Sequence, residues 1–267
     1  MNFPIDRVRS LRLACTVAAV FATAACGTKD APDPLQPTAA QGRIRFVNLI
    51  TDPSRNPVNA ILENVPFGVN LAYTGTTPSS LAAPSTANFA PIYEGARSLV
   101  LKKTADTNVV VATLPVTVVA AKDYTVYATG GTGGSTVTGF SVENTNEAIT
   151  TAQARLKVTN MSPAAGAVDV FITAANADLT TATPVAANLA TRASFAGALF
   201  APGTYSVRTV PAGTPAAGRP AAVNSTLCVP VSAGNGRTIV IADAAAGGTP
   251  IRSFSLTDIG PAPPACP

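Results

Sequence analysis

The 267-residue chain has no histidine and no tryptophan. Without histidine, Ser-His-Asp and Cys-His mechanisms are impossible, and so are zinc or copper sites that require an imidazole. Charge is scarce, at 12% of residues, and no basic run exceeds Lys102-Lys103. Nucleic acid is therefore not an expected partner, and the lysine pair reads as a strand end meeting solvent. The glycine-rich stretch Thr129-Gly130-Gly131-Thr132-Gly133-Gly134-Ser135 lacks the Gly-Lys-Ser/Thr ending of a phosphate loop and precedes a strand pattern. It reads as a hairpin connection. A Gly-x-Ser-x-Gly elbow and an Asp-x-Asp-x-Asp calcium loop are also missing. No cofactor, metal or catalytic residue is expected. Carboxylates can still meet in space, so an envelope hydrolase with paired carboxylates remains the alternative class.

What the chain does contain begins with an export signal. Arg7, Arg9 and Arg12 precede an apolar run, and Thr23-Ala24-Ala25-Cys26 ends it. The run is about 13 residues, shorter than the ~20 that span a bilayer. This is the form of a bacterial lipoprotein signal over residues 1–25, with Cys26 as the acylated residue. Two features depart from it. Ala22-Thr23-Ala24 also suits ordinary secretory cleavage, and Thr23 stands where a lipobox usually has leucine. Cysteine parity favours acylation. Cys15 leaves with the signal, and acylation of Cys26 leaves Cys228 and Cys266 as an even pair for an oxidising compartment. A disulfide pinning the proline-rich tail, residues 260–267, to the second domain is expected. Removing the signal leaves 15 basic and 13 acidic side chains of the original 18 and 14, a net charge of +2.

Residues 26–42 read as the lipidated cysteine and a tether. Pro32, Pro34 and Pro37 stand among small and polar residues that cannot build a core. Gly27 rather than aspartate follows Cys26, which in enteric bacteria favours the outer membrane. The expected location is the cell envelope, lipid-anchored at the outer membrane, either periplasmic or surface-exposed.

The rest of the chain looks like one unit used twice. Arg43-Ile44-Arg45-Phe46-Val47-Asn48 resembles Arg155-Leu156-Lys157-Val158-Thr159-Asn160, 112 residues later. Pro57-Val58-Asn59-Ala60-Ile61 resembles Ala167-Val168-Asp169-Val170-Phe171. Glu94-Gly95-Ala96-Arg97-Ser98-Leu99 aligns with Pro202-Gly203-Thr204-Tyr205-Ser206-Val207. Asp123-Tyr124-Thr125-Val126-Tyr127-Ala128 aligns with Gly236-Arg237-Thr238-Ile239-Val240-Ile241, and Phe140 with Phe254. A period near 110 is domain-sized and marks a duplication rather than a solenoid. Alternation in short Val-, Ile-, Thr- and Tyr-rich runs, punctuated by Pro and Gly, predicts strands. No stretch after the signal has sustained helical periodicity, although alanine-rich residues 186–190 could turn once as helix. The expected fold is all-β: two tandem immunoglobulin-like or transthyretin-like sandwiches, at 43–143 and 155–259. The polar residues 144–154 should separate them, and each should fold alone.

These motifs resemble the bacterial domain-of-unknown-function family 4397 over about residues 43–259. Members of that family often occur in exported proteins and lipoproteins, sometimes in tandem. The second repeat departs most at 181–198. The resemblance brings no catalytic residues to carry over.

Tyr73, Tyr93, Tyr124, Tyr127 and Tyr205 could stack sugars or anchor a partner, or simply pack. Tyr124 and Tyr127 lie three apart on a strand and should face opposite sides, so at most one should be core. The functional expectation is a non-catalytic envelope lipoprotein, a structural or adhesive module. Its partners would be the membrane, through the lipid anchor, and an envelope protein or polysaccharide. Its binding surface should lie on loops at one end of a sandwich or in the groove between the two.

Overall fold

Short strands with alternating burial build four sheets. The computed structural model describes residues 40–78, 88–144, 146–150, 152–262 and 264–266. The signal, Cys26 and the tether to residue 39 lie outside the described residues. The first half contains β1 (Gln41–Ile50), β2 (Val58–Leu62), β3 (Val65–Leu71), β4 (Thr76–Thr77), β5 (Ala90–Tyr93), β6 (Gly95–Lys103), β7 (Asp106–Val118), β8 (Asp123–Gly130) and β9 (Val137–Asn144). The second contains β10 (Ala154–Asn160), β11 (Val168–Thr173), β12 (Ala186–Leu189), β13 (Ala193–Phe200), β14 (Gly203–Pro211), β15 (Ser225–Val231), β16 (Gly236–Ala242) and β17 (Arg252–Ile259). Two 3-10 segments, Thr132–Gly134 and Ala216–Ala222, complete the described elements.

Each half is a β-sandwich. In the first, the sheet β1-β8-β9, with β4 and β5 both on the free side of β1, faces the sheet β3-β2-β6-β7. In the second, β13-β10-β16-β17 faces β12-β11-β14-β15. Val58, Ala60, Leu99, Leu101, Leu114 and Val116 close against Ile44, Phe46, Tyr124 and Val126 in the first core. Val168, Val170, Val207 and Val229 close against Leu156, Val158, Ile239 and Ile241 in the second. The alternation legible in these strands is thus the alternation between a core face and an outer face. Residues 186–190 do not turn as helix. Ala186–Leu189 is strand β12, hydrogen-bonded to β11, and the Asn188 N–H donates to Asp169 Oδ1 at 2.8 Å. The open edge of β11 captures the segment, whose alanines alone gave no strand signal.

Two pairs run parallel: β1 with β8, and β10 with β16. Parallel strands are typically covered on both faces, and these are. Val47, Leu49 and Tyr127 on the outer face of the first half pack with Met161, Val240, Ala242 and Leu256 of the second, flanked by Tyr73, Phe140, Val142 and Phe254. The two sandwiches therefore stack as four layers, and residues 40–267 form one compact unit. This overturns one expectation about the tyrosines. Tyr124 and Tyr127 do point to opposite faces, yet both are buried, because the strand has a core on each side. Burial pushes the Tyr127 hydroxyl up to about 12.

Candidate functional site at the joint between the sandwiches

The joint has three zones along the direction of β1 and β10. At their beginning lies a buried ionic cluster. Arg45 Nη2 meets Asp258 Oδ1 at 2.9 Å, and Lys157 Nζ meets Asp258 Oδ2 at 3.0 Å. Thr238 Oγ1 donates to Asp258 Oδ2 at 2.7 Å, Arg45 Nη1 to the Thr257 carbonyl at 2.8 Å, and Lys157 Nζ to Asn146 Oδ1 at 2.9 Å. The Arg45 guanidinium also lies 4.4 Å from the centre of the Phe89 ring. Burial pushes the Asp258 carboxyl up, but Arg45 and Lys157 and the bonds from Thr238 and Lys157 outweigh it and hold it below its ordinary 3.8. Burial pulls Lys157 down against the attraction of Asp258. Arg45, Lys157 and Asp258 are spent on one another and on Thr238, Thr257 and Asn146, which makes the cluster a fastening.

The middle zone is the apolar cluster described above. At the far end, where both parallel pairs run out, a groove of about 440 Å³ opens. Leu49, Tyr73, Met161 and Ala242 give it an apolar floor, and Thr51, Thr129, Thr132 and Ser135 bring hydroxyls. The glycine-rich connection after β8 forms one wall. Gly130 holds φ 97°, and a Cβ there would stand 2.6 Å from the Thr136 carbonyl, so the tight return to β9 requires glycine. Asp243 forms the other wall. Its carboxylate accepts from Ser162 Oγ, from the Ala164 N–H at 3.1 Å and from the Gly248 N–H at 3.4 Å. The Tyr73 hydroxyl donates to the Asp243 carbonyl at 2.5 Å, and burial, with the Asp243 charge beside it, pushes this tyrosine up to about 12. The groove can offer shape, an aromatic edge and neutral hydroxyls. Its carboxylate is fully engaged.

The other candidates are dispersed. Cys228 on β15 is joined to Cys266 of the tail by a disulfide, with the Cα atoms 6.3 Å apart. The Arg237 guanidinium holds the same tail, donating to the Pro261 carbonyl at 2.6 Å. Cys26 lies outside the described residues. Tyr205 packs edge-to-face on Phe200 and donates to the Ala201 carbonyl at 2.8 Å. Tyr93 is partly exposed on β5, opposite Gln41 at the start of β1, and does not line the groove at the joint. Among the described residues no three His, Cys, Asp or Glu side chains are grouped so as to hold a metal ion. A second set of carboxylates, Asp123, Glu143 and Glu147, lines a cleft of about 290 Å³. Arg43 holds Asp123 through Nε at 2.6 Å and Nη2 at 2.7 Å, and Lys122 holds Glu143 at 2.6 Å.

Sequence reasoning missed the ionic cluster. The signal was present: a cation at matching positions of both repeats, Arg45 and Lys157, inside otherwise apolar strands. A charge in a doubly covered strand must find a buried partner.

A domain of unknown function, DUF4397, is found at residues 56–171, from the turn before β2 to strand β11. No curated protein matches the chain. Among solved structures, the chain is similar to the family 26 carbohydrate-binding module CBMbc of Eubacterium rectale Amy13K in complex with maltoheptaose, at 10% identity and a TM-score of 0.23. That match covers 82% of this chain and 98% of the other. A leucine-rich repeat protein from Bacteroides thetaiotaomicron is 13% identical, with a TM-score of 0.17, over 80% of this chain and 26% of the other. Scores this low carry no argument about fold or ligand.

Proposed function

We propose that the chain is a lipid-anchored, non-catalytic module of the cell envelope, made by duplication of one sandwich, that takes a protein or glycan partner in the groove at the end of the joint. The observation that carries this reading is the chemistry of that groove. It combines a tyrosine, several neutral hydroxyls and an apolar floor with a carboxylate that is already saturated by three donors. Such a lining suits recognition by stacking and hydrogen bonds. The one carboxylate in its lining, Asp243, is already committed to Ser162, Ala164 and Gly248.

The signal pattern of residues 1–26 supports the proposed location. The mature protein should partition into the detergent phase, and Cys26→Ala should lose that behaviour. Recovery of a soluble wild-type protein beginning at Ala25 would refute the anchor. For the groove, Ala164→Trp places a large ring on an exposed position of its wall. It should reduce capture of the envelope partner, or glycan-array binding, at least tenfold while leaving the far-UV spectrum unchanged. Undiminished capture would move the site elsewhere. The hydrolase alternative is tested at Asp123, Glu143 and Glu147, the three carboxylates that line one cleft. Turnover of a glycoside or ester abolished by Glu143→Gln in a folded protein would establish it and end the non-catalytic reading.

A further inference from the structure

The first sandwich has an opening that the second fills with its own rings. A groove of about 360 Å³ lies between the free edges β3 and β5, lined by Leu62, Phe67, Ile92, Tyr93 and Arg97 among others. The pairing register locates the same place in the second half. Ile92 lies opposite Gly42 on β1, and Phe200 lies opposite Ala154, the matching residue of β10. Arg97 corresponds to Tyr205 in the repeat alignment. The two make the same contact. Arg97 Nε donates to the Tyr93 carbonyl at 2.9 Å, and the Tyr205 hydroxyl donates to the Ala201 carbonyl at 2.8 Å. In the second half Phe200 and Tyr205 meet edge-to-face, with centroids 5.3 Å apart, and both pack on the core. In the first half a smaller aliphatic side chain and a guanidinium occupy those positions, and among the described residues the space is open. Its rim carries exposed apolar surface: Val65 is 63% exposed and Tyr93 39%.

The charge in this groove is one-sided. Arg97 bonds only to backbone carbonyls, those of Tyr93 and Glu94, and forms no ion pair among the described residues. The one acidic lining residue, Glu63, already accepts the Ser98 N–H at 2.7 Å. An incoming carboxylate would complement the guanidinium, and planar bidentate pairing is what that group offers. A ring would replace the apolar contacts that Phe200 and Tyr205 supply in the other half.

We propose that the groove between β3 and β5 binds a small aromatic carboxylate, its ring seated between Phe67 and Ile92 and its carboxylate on Arg97. This site is separate from the groove at the joint and stands whether or not that reading holds.

The test uses 3-phenylpropionate as the probe and 3-phenylpropanol as its uncharged control. Each is titrated into the mature chain carrying Cys26→Ala and followed by amide chemical shifts. Saturable shifts are expected at Ile92, Tyr93 and Arg97, with the alcohol at least tenfold weaker. Arg97→Met should erase the preference for the acid. Ile92→Phe/Arg97→Tyr installs the second half's closure and should abolish saturable binding. Because that double substitution could disturb packing, Val65→Asp serves as a second test. It lies on an exposed rim position, leaves the core untouched and should weaken the acid tenfold by repulsion. Absence of saturable shifts in the wild type would overturn the proposal. So would equal affinity for acid and alcohol, or binding that survives both the closure and Val65→Asp.

Discussion

The two halves share one pairing scheme and solve the same problems differently. At the strand edge beside β1, the first half uses two short pieces, β4 and β5, where the second uses one bulged strand, β13. The bulge lies at Gly197, whose φ is 109° and whose absent Cβ would stand 2.7 Å from Lys157 Cγ. Its counterpart in the first half is Phe89, over which Arg45 lies. One half stacks its cation on a ring, and the other clears a path for it with glycine. The shared anion comes from one side only. Asn144 ends β9, where it donates to Thr125 Oγ1 at 2.8 Å, and Asp258 holds the equivalent place on β17. One carboxylate serves two cations because the sandwiches face each other. Two halves with one pairing scheme thus present complementary faces, and the charge pattern makes sense only for the pair.

The outer sheets differ too. In the second half, Leu179 and Val210 cover Phe171, and Arg219 lies 5.1 Å from its ring centre while donating to the Ala182 carbonyl at 2.9 Å. The matching residue of the first half, Ile61, has no such cover among the described residues and is half-buried. Other features are kept in common. Asn48 donates to the Leu71 carbonyl at 2.9 Å and accepts the Ile50 N–H, and Asn160 donates to the Leu189 carbonyl at 3.0 Å and accepts the Ser162 N–H. Both buried asparagines pin the corner where β1 or β10 ends, so the two halves use them in the same structural role.

The complementarity of the faces is most sharply broken at Asp258. Asp258→Asn leaves two buried cations without a counter-charge and should cost ~3–5 kcal/mol in denaturant unfolding. Replacing Arg45, Lys157 and Asp258 together by apolar residues of similar volume should restore most of that loss. If it does not, packing rather than charge pairing made the single variant weak. The pH dependence has a definite sign. Asp258 is held below 3.8 in the folded state, so its contribution is complete above the ordinary carboxylate range. That contribution is lost as pH falls through the lowered value, and the acid limb of stability should flatten in Asp258→Asn.

Next in size is the disulfide, which has no counterpart in the first half. Cys228→Ser/Cys266→Ser opens a loop with a sequence separation of 38 and should cost ~3–4 kcal/mol in the chain-entropy model. Labelling of the denatured, non-reduced wild type should find neither thiol. The outer sheets should differ by less. Phe171→Ala is expected to cost about 3 kcal/mol and Ile61→Ala about 1 kcal/mol, because only the former empties a covered cluster. Equal costs would show that the loop cover contributes nothing. The smallest effect concerns autonomy. Residues 43–143 and 155–267 produced as separate chains should each be β-rich yet pair when mixed, since each alone exposes half of the joint. Fragments that stay apart would support fully independent domains.

The strands were legible because burial on a sheet face imposes a period of two and because turns demand Gly, Pro and Asn. The matching of Arg45 to Lys157, Asn48 to Asn160 and Arg97 to Tyr205 was equally legible. The double burial of β1 and β8 was not: a strand covered on both faces differs from one covered on one face only by what lies opposite, and Tyr127 carries no mark of its partner. The groove at the joint was foreseen as a place, yet its lining comes from loops as distant as Tyr73 and Gly248.

By itself the sequence determined the all-β character and the lack of any imidazole, because each rests on local pattern or on counting. Only the tertiary structure decided that the two sandwiches share a core, that Arg45 finds Asp258 across 213 residues of chain, and that the opening beside Ile92 is left unfilled among the described residues. Those outcomes depend on which surfaces face each other, and a buried charge or an empty groove acquires meaning only from the groups brought beside it in space.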